Sequence, residues 1–229
     1  MRTVAVNVYT FDELKPEVQN KVIDAYRNIN ICNNDWWDGV YEHWYEELKK
    51  HGFMHCKISF SGFGSQGDGA CFDCDDFDIE KLIARGYNPV ETEVLWVVVE
   101  SVIISTINHH YSHHNTRKFE VYCKESGDVQ RLLDTKPEDL LLFKLDELEH
   151  GEELKPLYEV LIKHPTLERP TVDGLVTRFQ QDIEECRIDL CKKIYAALEE
   201  EYSREISDDA VRECLIANGM EFTEDGDTW

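Results

Sequence analysis

Hydrophobic and polar positions alternate from Arg2 to Tyr9, with Val4, Val6 and Val8 on one face and Thr3, Ala5 and Asn7 on the other. That is the period of a half-buried strand. Thr10-Phe11-Asp12-Glu13 then has the pattern of a capping box. Pro16 opens a predicted helix with Val18, Val22, Tyr26 and Ile29 on its apolar face. A second helix is capped from among Asn33, Asn34 and Asp35, striped by Trp37, Val40 or Tyr41, Trp44 and Leu48, and stopped at Gly52. Its aromatic residues, Trp36, Trp37, Tyr41, Trp44 and Tyr45, recur at helical spacing, which favours packing over a partner-facing surface. Phe53–Ser61 returns to alternation, with Met54, Cys56, Ile58 and Phe60 opposing His55, Lys57, Ser59 and Ser61.

Ala70–Cys74 predicts a returning strand, and Asp76 or Asp78 caps a short helix through Ile79, Leu82 and Ile83 to Gly86. Val94–Ile107 is rich in β-branched residues and predicts a central strand, bulged at Glu100-Ser101, with Lys118–Cys123 as its partner. From Asp128 the β signal ends. Short helices are predicted over Gln130–Leu133, Pro137–Leu148 and Glu152–Lys163. A long helix follows from Pro170 to about Tyr202, with Val172, Val176, Phe179, Ile183, Cys186, Leu190, Ile194 and Leu198 inward. Ser207 caps a last helix, which runs to Gly219 before an acidic tail. The expected class is α+β: a mostly antiparallel sheet covered by helices, with a helical C-terminal part. Residues 1–127 form the α+β core, and 128–229 form the helical part packed on it as one unit.

Charge narrows the function. The 229 residues carry 24 bases against 47 acids, a formal net charge of −23, and from Asp146 onward there are 23 acids and 9 bases. Direct nucleic-acid binding needs a basic footprint, which this composition lacks. The acidity suits solubility, a basic protein partner, or mimicry of nucleic-acid charge. No apolar run approaches the roughly 18 residues of a membrane span, and the opening resembles a strand, so a soluble cytoplasmic chain is expected. The eight cysteines then read as thiols, with no structural disulfide.

Candidate chemistry centres on Ile58–Phe72, which places Gly62, Gly64, Gly67 and Gly69 within eight residues of a chain with twelve glycines. Glycines clustered after a strand indicate a shaped loop. Ser61, Ser65, Gln66 and Asp68 lie among them and either cap the surrounding backbone or, with Phe63, contact a ligand or partner. Asp68 opposes a phosphate there. The loop matches neither the P-loop nor the dinucleotide fingerprint. Cys71-Phe72-Asp73-Cys74 has half the spacing of a zinc site, yet residues three apart on a strand face opposite ways. His109, His110, His113 and His114 cluster at a turn, with His110 and His113 as the contact candidates. Asp68, Asp73, Asp75, Asp76 and Asp78 form an acidic run without EF-hand spacing, and no G-x-S-x-G elbow is present. On the long helix, Asp182, Glu185, Asp189, Glu199 and Glu200 lie opposite the apolar stripe and form a candidate acidic partner face. No metal or cofactor is expected.

Three segments, Tyr9-Thr10-Phe11-Asp12-Glu13-Leu14, the loop Phe60–Ala70 and the tail Ala217–Gly226, resemble a family of bacteriophage-encoded proteins, many of which carry an antitoxin label. Gly64 stands where that family carries a bulky aromatic, and Lys124–Pro170 shows no match to it. The resemblance implies a non-enzymatic accessory protein in the cytoplasm of an infected bacterial host. Such a protein, antitoxin-like or anti-defence, binds and neutralises a host or defence-system protein that has a basic surface. Two alternatives stay open: a nucleotide or small-molecule binder using the glycine loop, and a metal-dependent hydrolase using the Asp and His clusters.

Overall fold

The computed structural model describes residues 6–33, 35–106, 117–148 and 150–229. In chain order the elements are β1 (Tyr9–Thr10), α1 (Pro16–Ala25), α2 (Asp38–Lys50), β2 (Phe53–Ser61), β3 (Gly69–Phe77), α3 (Ile79–Ile83) and α4 (Pro89–Val98). They continue with β4 (Val99–Thr106), β5 (Arg117–Cys123), α5 (Gly127–Asp134), α6 (Lys155–Lys163), α7 (Val172–Glu205), α8 (Asp208–Ala217) and β6 (Glu221–Phe222). The class is α+β, and among the described residues helix is more abundant than strand. Among the described residues the strands are divided among three separate antiparallel pairs, β1 with β6, β2 with β3 and β4 with β5.

The chain forms two compact units, one from residues up to His43 together with Ile194–Trp229, the other from Trp44–Lys193. In the first, Tyr9 pairs with Phe222, and Glu13 reaches back to accept the Thr10 N–H at 2.9 Å. Phe11, Leu14, Val22, Ile23, Val211, Leu215 and Phe222 form its core. Of the strand expected over Arg2–Tyr9, residues 2–5 lie outside the described residues. Val6–Val8 are exposed and irregular, and only Tyr9 is in a strand.

The second unit is centred on a cluster of phenylalanines. Phe53 meets the edge of Phe72 at 5.1 Å, and Phe119 lies 6.1 Å from Phe53 and 5.8 Å from Phe77. Asp78 caps α3 through the Lys81 N–H, as the pattern anticipated. The central strand expected from Val94 is corrected: Val94–Val98 belong to α4, and the strand begins at Val99. Asn88 explains the difference, because its Oδ1 accepts from Val90 and Glu91, Glu91 accepts the Asn88 N–H, and Pro89 starts the first turn. Val90, Val94, Leu95 and Val98 then all bury on one helical face, and this burial outweighs their β-branched preference. The register shift between Val99 and Ser101 puts a bulge at Glu100, where the sequence suggested one. The helix expected over Pro137–Leu148 is two single 3₁₀ turns, Leu140–Leu142 and Leu145–Glu147.

The 34-residue α7 buries Val172, Leu175, Phe179, Ile183, Arg187, Leu190, Cys191, Ile194 and Leu198. Its stripe therefore runs through Leu175 and Arg187, where Val176 and Cys186 were expected. Among the described residues, no helix is long and apolar enough to cross a membrane.

Candidate functional site

The glycine loop is the tip of the β2–β3 hairpin, whose ladder runs from Phe53 opposite Phe77 to Ser61 opposite Gly69. Gly64 and Gly67 adopt φ of +106° and +97°, a region that side chains with a Cβ rarely enter. Asp68 folds back into the turn, where its carboxylate accepts the Ser65 N–H at 2.6 Å while its own N–H donates to the Ser65 carbonyl at 3.2 Å. The Ser61 hydroxyl oxygen accepts the Gly69 N–H at 3.3 Å. Phe63 stacks on Phe60 with ring centroids 5.7 Å apart. Ser61, Phe63, Ser65, Gln66 and Asp68 thus share one tip, with Gln66 exposed. The carboxylate sits on an amide that a phosphate oxygen would need, so the tip carries its own anion and is poorly suited to a second. His110 and His113, with the rest of the histidine cluster, lie outside the described residues.

The acidic run is taken up by local structure. Asp73 stands opposite Lys57, Asp76 accepts the Phe77 N–H, and Asp78 caps α3 and pairs with Lys81 at 3.0 Å. Among the described residues, no group of three His, Cys, Asp or Glu side chains converges to hold a metal. Cys71 and Cys74 face opposite ways along β3. Cys74 meets Cys56, whereas the charge of Arg187 and the thiol of Cys191 lie near Cys71. All eight cysteines are free thiols.

All five acids of the expected partner face on α7 are exposed. Asp182, Glu185 and Asp189 follow one another at helical spacing in the second unit, and Glu199 and Glu200 belong to the first. They are not equivalent. Asp182 accepts the Tyr87 hydroxyl, and Asp189 pairs with Lys193 at 2.7 Å. Burial, with Asp182 second, raises the Tyr87 hydroxyl well above the ordinary tyrosine value.

Two features escaped sequence reasoning. The first is Arg187, fully buried, with Nη2 2.6 Å and Nε 3.2 Å from the two Glu184 oxygens. Charged residues on a stripe read from apolar spacing alone are skipped, so only the spacing from Ile183 to Leu190 hinted at it. The second is Leu141 and Leu142, 77% and 80% exposed. With about three residues per 3₁₀ turn, only one of three consecutive leucines can face inward. Leu140 does so, and its carbonyl accepts the Tyr158 hydroxyl at 2.9 Å. Glu138, Asp139, Asp146 and Glu147 are exposed along the same stretch, and the following chain lines an open pocket of about 590 Å³ with Phe143, Lys144, His150 and Tyr158.

A family model described as a domain of unknown function (DUF8835) matches residues 36–208, the greater part of the chain. That span contains the hairpin tip and all but the last turns of the helical part, while the segments at Tyr9–Leu14 and Ala217–Gly226 lie outside it. No curated protein and no solved structure matches the chain.

Proposed function

The chain belongs to the DUF8835 family, and from that premise we propose that it is a non-catalytic binding protein whose second unit engages a basic protein partner. The observation that carries this reading is the Leu141-Leu142 pair, apolar and exposed inside a stretch whose other exposed charges are mostly acidic. Glu138, Asp139, Asp146 and Glu147 outnumber Lys136 and Lys144 there, with Lys144 paired to Glu147 at 2.7 Å. An exposed apolar anchor with a net-acidic rim supplies affinity from the anchor and encounter rate from the charge. Asp182, Glu185 and Asp189 on α7 add further exposed acids in the same unit, offset in part by Arg178, Lys192 and Lys193. The loop's internal carboxylate favours a structural or contacting role for the hairpin tip over nucleotide binding. The resemblance of three segments to phage-encoded proteins supports a host or defence protein as the target and neutralisation as the outcome, with no cofactor and no direct nucleic-acid contact.

The test begins with capture of partners from bacterial lysate by wild type and by the Leu141→Ser/Leu142→Ser variant, with quantitative mass spectrometry. Association rates of the captured protein are then measured at several salt concentrations. A stoichiometric basic protein, lost in the variant and associating more slowly as the Debye length shrinks from about 10 Å at 0.1 M to about 3 Å at 1 M, supports the proposal. Rates independent of salt and unchanged in the variant overturn it.

A further inference from the structure

Cys56 of β2 and Cys74 of β3 are direct cross-strand partners. Opposed residues of an antiparallel pair project from the same face, which sets the Cys56 thiol beside that of Cys74. Cys74 is buried, whereas Cys56 is half-buried and reachable from solvent. Cys71 stands opposite Ser59, and Cys123 opposite Val99, so neither has a cysteine across its ladder.

Opposed strand residues have Cα atoms about 4.5–5.5 Å apart and Cβ atoms about 4.5–5.5 Å apart. A disulfide accepts Cα separations of about 4.4–6.8 Å and wants Cβ atoms about 3.5–4.5 Å apart. A bond between these residues therefore closes with a small inward movement of the strands. The distortion leaves it more readily reduced than a relaxed structural disulfide.

We propose that Cys56 and Cys74 are a reversible thiol–disulfide site that responds to peroxides and locks the hairpin carrying the glycine loop. The accessible Cys56, as thiolate, attacks the peroxide O–O bond, giving a Cys56 sulfenic acid and releasing an alcohol, or water from hydrogen peroxide. The Cys74 sulfur then attacks the Cys56 sulfur, the S–O bond breaks, and hydroxide leaves with the Cys74 proton as water. Overall, two thiols and one peroxide give one disulfide, one alcohol or water, and one water. Two electrons pass from sulfur to the peroxide, and a dithiol reductant returns them. The neighbouring Cys56 thiol and the burial of Cys74 raise the Cys74 thiol well above its usual value. This assigns the first attack to Cys56 and the resolving step to Cys74.

Trypsin cleavage makes the bond readable, because it separates His51–Lys57, which contains Cys56, from Ile58–Lys81, which contains Cys71 and Cys74. Folded, reduced protein is treated with hydrogen peroxide, its remaining thiols are blocked under denaturing conditions, and the digest is analysed by mass spectrometry. The expected result is loss of about two thiols per chain and these two peptides joined. Cleavage before Asp73 should place the bond on Cys74, and dithiothreitol should restore both thiols. Cys74→Ser should instead trap Cys56 as a sulfenic acid that a dione probe labels, and its far-UV spectrum checks that it folds. Cys56 joined to Cys71 or to another cysteine, or oxidised in wild type to a sulfinic acid without a disulfide, overturns the proposal.

Discussion

Replacing Glu184 by alanine tests what keeps a guanidinium in the core of the second unit. Arg187 has 0% side-chain exposure and Glu184 has 28%, and two short contacts of 2.6 and 3.2 Å join them. Hydrogen bonds to charged groups contribute about 1.5–3 kcal/mol each, and removing one partner of a buried pair costs about 3–5 kcal/mol, because the remaining charge stays desolvated. Cys191 Sγ, 3.9 Å from Nη1, retains part of the interaction, so the lower end of that range, about 3 kcal/mol, is expected for Glu184→Ala. Arg187→Met should behave differently. Methionine fills the apolar stripe, and the partly exposed Glu184 can turn to water, so a change within about 1 kcal/mol of zero is expected. The double variant should recover most of what Glu184→Ala loses, leaving a coupling of about 2 kcal/mol. Urea unfolding followed by far-UV circular dichroism reads all three as midpoint shifts at unchanged m. If Glu184→Ala costs no more than Arg187→Met, the carboxylate is not the counter-charge and this account of Arg187 fails.

Gly67 sits at φ +97°, so Gly67→Val should cost about 1–3 kcal/mol. An unchanged thermal melt would mean the loop is not conformationally constrained. At Gly151 a Cβ would lie 1.9 Å from the Leu145 carbonyl oxygen, whereas at Gly39, inside α2, nothing lies within 4 Å. Gly151→Ala should therefore destabilise by about 2 kcal/mol or more, and Gly39→Ala should stabilise by about 0.4–1 kcal/mol. Melts that reverse this order would refute the packing described. Burial, and secondarily the charge of Arg85, hold His51 below the ordinary histidine value. The unfolded chain then binds its proton first, so stability is lost as pH falls below about 6.5. His51→Gln should flatten the slope of unfolding free energy between that pH and the lower folded value, and parallel slopes would refute the assignment.

Much of the fold was legible because its signals were local. Helix starts at Pro16 and Asp78, the stops at Gly52 and Gly219, and the alternation of Phe53–Ser61 all appear where the pattern put them. The misplaced boundary at Val94 came from weighing β propensity above a cap six residues upstream. Asn88-Pro89 with Glu91 is as explicit a start signal as Thr10 with Glu13, and Val90, Val94 and Val98 fit a helix as well as a strand. The run Leu140-Leu141-Leu142 carries no local signal of which leucine is covered. Its apolar character suggests burial, but that depends on tertiary neighbours, and only Leu140 has them.

The site was legible in part, and the difference lies in sequence distance. Lys193 is four residues from Asp189, so that pairing was readable in the helix pattern. Tyr87 is not near Asp182 in sequence, and its hydroxyl could not be anticipated. The thiol pair is an intermediate case. Once Ser61 and Gly69 are known to face each other, antiparallel pairing steps back one residue on each strand and brings Cys56 opposite Cys74. The juxtaposition therefore depends on the loop from Gly62 to Asp68 keeping its length, and that length depends on glycines that tolerate positive φ and on Asp68 closing the turn. One residue more or fewer would slip the register and point every side chain of one strand to the other face. Cys56 would then lie opposite Asp73 or Asp75, and the buried phenylalanines would lose their partners. The pressure that keeps Phe53 against Phe72 thus also keeps the two thiols together, so the thiol pair places no demand on the fold that its aromatic core does not already make.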